Sequence, residues 1–271
     1  MPLDFEHCDP ALLNAFFCSP DRARSLAAAG LLTADPAGHC PPEPDRIADY
    51  LQTGTPLAGN AAAIAAFVGT LGRDAADPYA SALTAWLRSC DEALSPADRG
   101  RRLLCALDRV ELALSRRQSF ARALAAARIN AAAGQRTRAF ELAHLMAQAA
   151  LRGQAVQIGE PFLALLPEYE ANGPGADAVN WLNAMVIEAA ARWRAFSSMF
   201  AQGYALNDPW AWVSARGFAS VALARRHALL ALREGWPIDP RARALLESDT
   251  PRHRNAAVWR VLLSDPARHL G

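Results

Sequence analysis

The sequence predicts an all-α protein, with antiparallel helical hairpins in a solenoid-like or bundle arrangement and a larger-cored C-terminal helical unit. Three observations carry that expectation. Helix starts are written as a capping residue followed by proline at Asp9-Pro10, Ser19-Pro20, Asp77-Pro78, Ser95-Pro96, Asp208-Pro209, Asp239-Pro240 and Thr250-Pro251. The cap oxygen accepts an orphan N–H of the first turn, and proline has no N–H to lose there. Helix stops are written as Gly30, Gly72, Gly134, Gly153, Gly203 and Gly235. Third, hydrophobic residues make up 52% of the chain. Their excess is mostly alanine, the best helix former, and no run of β-branched residues reads as a strand.

Taken in order, residues 1–56 form a short-helix N-terminal region, with helices at 10–17, 20–29 and 44–53 broken by Pro and Gly, including the loop Asp35–Pro44. Residues 57–153 follow as alanine-rich hairpins with helices at 60–71, 78–93, 96–116, 118–133 and 136–152. In the last of these, Ala139, Leu142, Ala143, Met146 and Ala149 form one apolar stripe, while Arg138, Glu141, Gln148 and Arg152 lie outside it. A helix at 159–166 and the Gly-rich link Asn172–Gly175 lead to an aromatic-rich unit over 175–271. Its helices fall at 175–202, 209–234, 239–247 and 251–263, and six of the seven tryptophans lie beyond residue 180. Leu182, Met185, Val186, Ala189, Trp193, Phe196 and Phe200 share a stripe that Trp181, Ile187 and Met199 widen, which makes 175–202 the central helix.

The segment Ala121–Gly153 resembles a degenerate tetratricopeptide unit. Gly134 and Ala139 stand where that family has its turn glycine and first helix-B alanine. Asn130 replaces the usual helix-A aromatic, and the small Ala143 replaces a large residue. The resemblance covers about one repeat of roughly 34 residues. It implies stacked helix pairs that bind protein segments on a concave face.

Composition excludes several chemistries. All 28 basic residues are arginine, so a Schiff-base, P-loop or kinase-type lysine is impossible. The net charge of +1 gives no field that attracts nucleic acid or an anionic membrane. The acidic opening MPLDFEHCDP predicts no signal peptide, and no 18-residue apolar window predicts a transmembrane helix. Five cysteines, an odd number without a regular framework, predict reduced thiols and a cytoplasmic location.

Candidate metal sites are incomplete. His7, Cys8, Cys18, His39 and Cys40 offer zinc-ligand chemistry but contain no Cys-x-x-Cys knuckle, and the lone Cys40-Pro41 carries little as a haem ligand. Glu141-x-x-His144 has the spacing of a di-iron helix but lacks its second copy, and both residues lie off the apolar stripe. No metal and no cofactor is predicted. Dinucleotide, Walker, Gly-x-Ser-x-Gly and His-Glu-x-x-His motifs are missing too.

Two features remain. Trp193, Phe196, Phe200, Tyr204, Trp210, Trp212 and Phe218 form an aromatic belt, of which Trp210 and Trp212 are the residues predicted to sit on a partner surface. Arg225 falls in the middle of a stripe formed by Phe218, Ala222, Leu229, Leu232 and Trp236. A guanidinium there needs a carboxylate or an anion, and counting back from the turn at Asn207-Asp208 offers Glu188, one turn before Arg192. Arg225, Glu188 and Arg192 are therefore the candidate ligand-binding residues. The sequence predicts a non-enzymatic scaffold or adaptor that binds a protein partner, with no nucleic acid and no membrane. Two alternatives stay open: an enzyme or anionic-ligand binder with its site among the C-terminal helices, and a helical accessory module of a separately encoded transferase.

Overall fold

The structure, a computed structural model, describes residues 19–30, 78–154, 158–173, 177–194, 207–253 and 255–264. Of these residues 76% are helical and none is in a strand, so the chain is all-α. Two compact units divide between Gly173 and Pro174. The predicted helices 10–17, 44–53 and 60–71, the boundary at residue 56, and His7, Cys8, Cys18, His39 and Cys40 lie outside the described residues.

The first unit contains α1 (Pro20–Ala28), α2 (Pro78–Ser89), α3 (Pro96–Arg116), α4 (Phe120–Ala132), α5 (Arg136–Leu151) and α6 (Pro167–Asn172). The cap-proline signals act as predicted at α1 and α3. Ser19 Oγ accepts from Arg22 N, and Ser95 Oγ accepts from Asp98 N at 3.1 Å while donating to the Asp98 carboxylate at 2.7 Å. Helices α4 and α5 form a hairpin closed at Gly134, whose φ of +83° only glycine adopts freely. On α5, Ala139, Leu142, Ala143 and Met146 are buried as the pattern requires. Ala147 and Ala150 complete the seam in place of the half-buried Ala149.

The helix expected at 159–166 is not formed. Pro161 and Pro167 bracket the run Phe162–Leu166, and the residue before a proline is pushed out of the α region: Leu166 has φ −125° and ψ 132°. Leu163, Ala164, Leu165 and Leu166 are all buried, so the run is an irregular apolar strap rather than an amphipathic helix. Polar contacts hold it against α2 and α4. The Tyr79 hydroxyl donates to Pro161 O at 2.6 Å, and Arg128 donates to Leu165 O at 3.0 Å. Glu160, at the head of the strap, accepts from Arg122 Nη2 at 3.0 Å and Nε at 3.2 Å, from Ser119 Oγ at 2.8 Å and from Arg117 at 3.2 Å. Burial pushes the Glu160 carboxyl up, but Arg122, Ser119 and Arg117 outweigh it and hold the group below the usual carboxylate range.

The second unit contains α7 (Ala178–Trp193), α8 (Asn207–Ala215), α9 (Val221–Glu234), α10 (Pro240–Asp249), a single 3₁₀ turn (Thr250–Arg252) and α11 (Ala256–Ser264). Helix α7 is buried continuously from Trp181 to Ala190. It ends sooner than predicted, because Arg194 takes an extended conformation with φ −51° and ψ 140°. The predicted helix 209–234 is two helices. Gly217, at φ +76°, closes α8 while Phe218 N bonds back to Val213 O at 3.3 Å, and Ser220 opens α9 by accepting from Leu223 N at 3.0 Å.

The expectation of five reduced thiols is not met, since a disulfide takes up two cysteines. Cys105 on α3 is disulfide-bonded, whereas Cys90 is a free, exposed thiol. No described helix is long and apolar enough to cross a membrane.

Candidate functional site

Glu188 is 1% exposed on α7 and is fully engaged in structure. Arg192, one turn on, donates to it at 2.8 Å, and Ser220 Oγ donates to it at 2.5 Å. Ser220 simultaneously accepts the α9 cap bond, so the carboxylate sits against the positive end of α9. The first unit contains the same device. Ser119 caps α4 by accepting from Arg122 N at 3.2 Å and donates to Glu160, which arginines neutralise. In both units a helix cap is tied to a carboxylate from a distant element, and the carboxylate is tied to arginine. Glu188 and Arg192 thus hold α7 to α9.

Arg225 does not pair with Glu188. Its guanidinium pairs with Asp249 at the end of α10 and lies 5.9 Å from the Trp259 ring centroid. The counting that linked Arg225 to Glu188 assumed one unbroken helix, and the turn at 216–220 removes that register. The buried seam of α9 is also rotated: Leu223, Ala224, His227, Ala228, Leu230, Ala231 and Leu232 are buried, while Trp236 is 40% exposed. Arg225 therefore sits at the edge of the seam, with its side chain 22% exposed. It seats α11: Trp259 is 7% exposed under it, and His253 meets that indole edge-on with centroids 6.3 Å apart. Truncating Arg225 to alanine should cost about 1–2 kcal/mol, from a half-screened ion pair plus the contact with the ring. A loss near 4 kcal/mol in urea denaturation would show instead that the pair is effectively desolvated.

Trp210 is not on the surface. It is 3% exposed and stacks on His227 of α9 with centroids 4.8 Å apart and planes 14° apart. The indole N–H acts on the Asp239 carboxylate without closing a full hydrogen bond. Trp212 is half-buried, with the Arg216 guanidinium 3.8 Å from its ring centroid. The belt residues Phe196, Phe200 and Tyr204 lie outside the described residues. Glu141 and His144 both face solvent: Glu141 pairs with Arg138 at 3.6 Å, and His144 stacks on Phe140 and contacts Gln148 at 2.9 Å. Asn183 Oδ1 and Ser214 Oγ are buried without a hydrogen-bond partner.

The feature missed in the sequence is the outer face of α11, a helix expected at 251–263 that begins at Ala256. Its inner face buries Trp259 and Leu263. Placed at 100° per residue, its outer face is Ala257, Val258, Val261 and Ser264. Val258 is 58% exposed and Val261 46% exposed. Arg260 is the single charged residue among the nine of this helix. A helix apolar on both faces belongs in an interior, not at a surface. The signal was present in the string AAVWRVLLS, which has no polar face to write off as solvated.

The comparisons with known proteins add nothing to this geometry. No protein-family model, curated protein or solved structure matches the chain.

Proposed function

We propose that this chain is a non-catalytic helical adaptor that binds a protein partner through the outer face of α11. The observation that supports the reading is that face: two exposed valines on a helix whose opposite side is already anchored by Trp259. The residues expected to form a ligand site are spent on structure, Glu188 on Arg192 and Ser220, Arg225 on Asp249. Burying apolar surface is the term that drives association, and a face of Ala, Val and Ser admits close approach of a second helix or an apolar groove. The half-exposed Trp212 offers a second, smaller contact.

The test is affinity capture followed by mass spectrometry with matched variants. Val261→Asp and Val258→Asp should each weaken capture of the wild-type partner at least tenfold, while unfolding free energy stays within about 0.5 kcal/mol of wild type. Leu145→Asp, a change at an exposed leucine of α5, should leave capture unchanged. Capture that survives both valine substitutions overturns the reading. So does light scattering showing that the face is closed by a second copy of the chain.

A further inference from the structure

One titratable side chain in the second unit has no structural partner that explains it. His227 is 7% exposed in the seam of α9, and its Nδ1 is buried without a hydrogen-bond partner. One face of the ring is covered by Trp210 of α8. Asp239, on the link from α9 to α10, is the one charged group acting on His227 among the described residues. Trp210 carries no charge, and Arg216, in the turn after α8, is taken up by Trp212. Asp239 has another task. It caps α10, accepting from Arg241 N at 2.8 Å, with the Arg241 guanidinium 3.4 Å away.

We infer that the junction of α8, α9 and α10 is an acid-sensitive joint, in which a proton taken up by His227 draws the Asp239 carboxylate off the N-terminus of α10. A neutral imidazole leaves its unpartnered ring nitrogen as a weak, tolerable acceptor. The added proton makes that nitrogen a buried charged donor, which demands an acceptor. Asp239 is the carboxylate whose charge acts on His227, and it is already engaged with the first turn of α10. Burial pushes the Asp239 carboxyl up, but the Arg241 N–H, Trp210 and the Arg241 guanidinium outweigh it and hold the group below the usual carboxylate range. Asp239 therefore stays charged while His227 titrates.

The sign of the stability effect follows. Burial lowers the His227 pKa from its ordinary 6.5, with Asp239 opposing. The unfolded chain then binds the proton first, so the stability owed to neutral His227 is complete above about pH 6.5 and falls as pH drops toward the folded-state value.

The experiment uses the full chain between pH 7.5 and 4.5, reading tryptophan emission and amide exchange of residues 241–243. In wild type, emission should fall in one step centred below pH 6.5, because an imidazolium stacked on an indole quenches it. Exchange in the first turn of α10, corrected for its intrinsic pH dependence, should rise on the order of fivefold over the same range, as expected for a lost cap. His227→Gln should remove both changes. Trp210→Phe should remove the emission step and keep the exchange response. Asp239→Asn, which needs no change at the imidazole, should shift the step to lower pH by removing the favourable charge. The inference is overturned if His227→Gln retains the step, or if the first turn of α10 stays equally protected at both ends of the range. Should His227→Gln fail to fold at pH 7.5, the direction of the Asp239→Asn shift decides alone: no shift, or a shift upward, overturns it.

Discussion

Arg122→Ala should be among the most damaging single substitutions in the first unit, costing about 3–5 kcal/mol. Arg122 and Glu160 have side chains only 4% and 7% exposed, and the pair is bidentate. Arg122 also donates to Ala113 O at 3.1 Å and lies 4.9 Å from the Tyr79 ring centroid. Removing the cation strands Glu160 at the head of the strap, with only the exposed Arg117 left as a counter-charge. Chemical denaturation followed at the transition of this unit measures the cost, and the loss should depend little on salt because the pair is buried. Arg122→Met combined with Glu160→Leu should recover much of it, since replacing both charges leaves none unpaired. A single-variant loss below about 1 kcal/mol would mean that water reaches Glu160. The pH dependence has a fixed sign. Glu160 is depressed below its ordinary 4.5 in the folded chain, so its contribution is complete above that pH and is lost as pH falls through the folded-state value.

Trp210→Ala should be the corresponding lesion in the second unit, at about 3–5 kcal/mol. The indole is 3% exposed and bridges α8 to His227 of α9, so its removal opens a cavity at that contact. Trp212→Ala, two residues on and half-exposed under Arg216, should cost about 1 kcal/mol or less. Thermal or urea unfolding of the two variants side by side tests the contrast. Equal costs would refute the assignment of Trp210 to the interior. A Trp210 variant that lost partner binding at full stability would restore it to a surface role.

What was legible in the sequence was whatever is encoded within a few residues. A cap oxygen before a proline, as at Ser19, Ser95 and Asp239, acts on N–H groups two or three positions away. A glycine such as Gly134 stops a helix through its own φ. The strap at 162–166 was misread because an unbroken apolar run has no period to declare its conformation, and its burial is settled only by its neighbours. The break after Ala215 was missed because Ser220 caps α9 with no proline behind it. That missed turn also undid the site. It rotated the buried seam of α9, moved Arg225 from the seam's middle to its edge and gave it Asp249, a partner 24 residues away in the chain. Long-range pairing of this kind follows from packing, which no local pattern contains. The burial of Trp210 belongs to the same class.

The strap has a kinetic consequence. Its anchor to Tyr79 spans 82 residues of chain and that to Arg128 spans 37, whereas α4 and α5 meet across a single tight turn. Closing the long loop costs entropy that only the last contacts return, so the hairpin should be native-like in the folding transition state and the strap should not. Tyr79→Phe would then act chiefly on the rate of unfolding, shortening the lifetime of the native state while the rate of folding scarcely changes. The segment that most resists reading from sequence would be the one that sets how long this unit, once folded, stays folded.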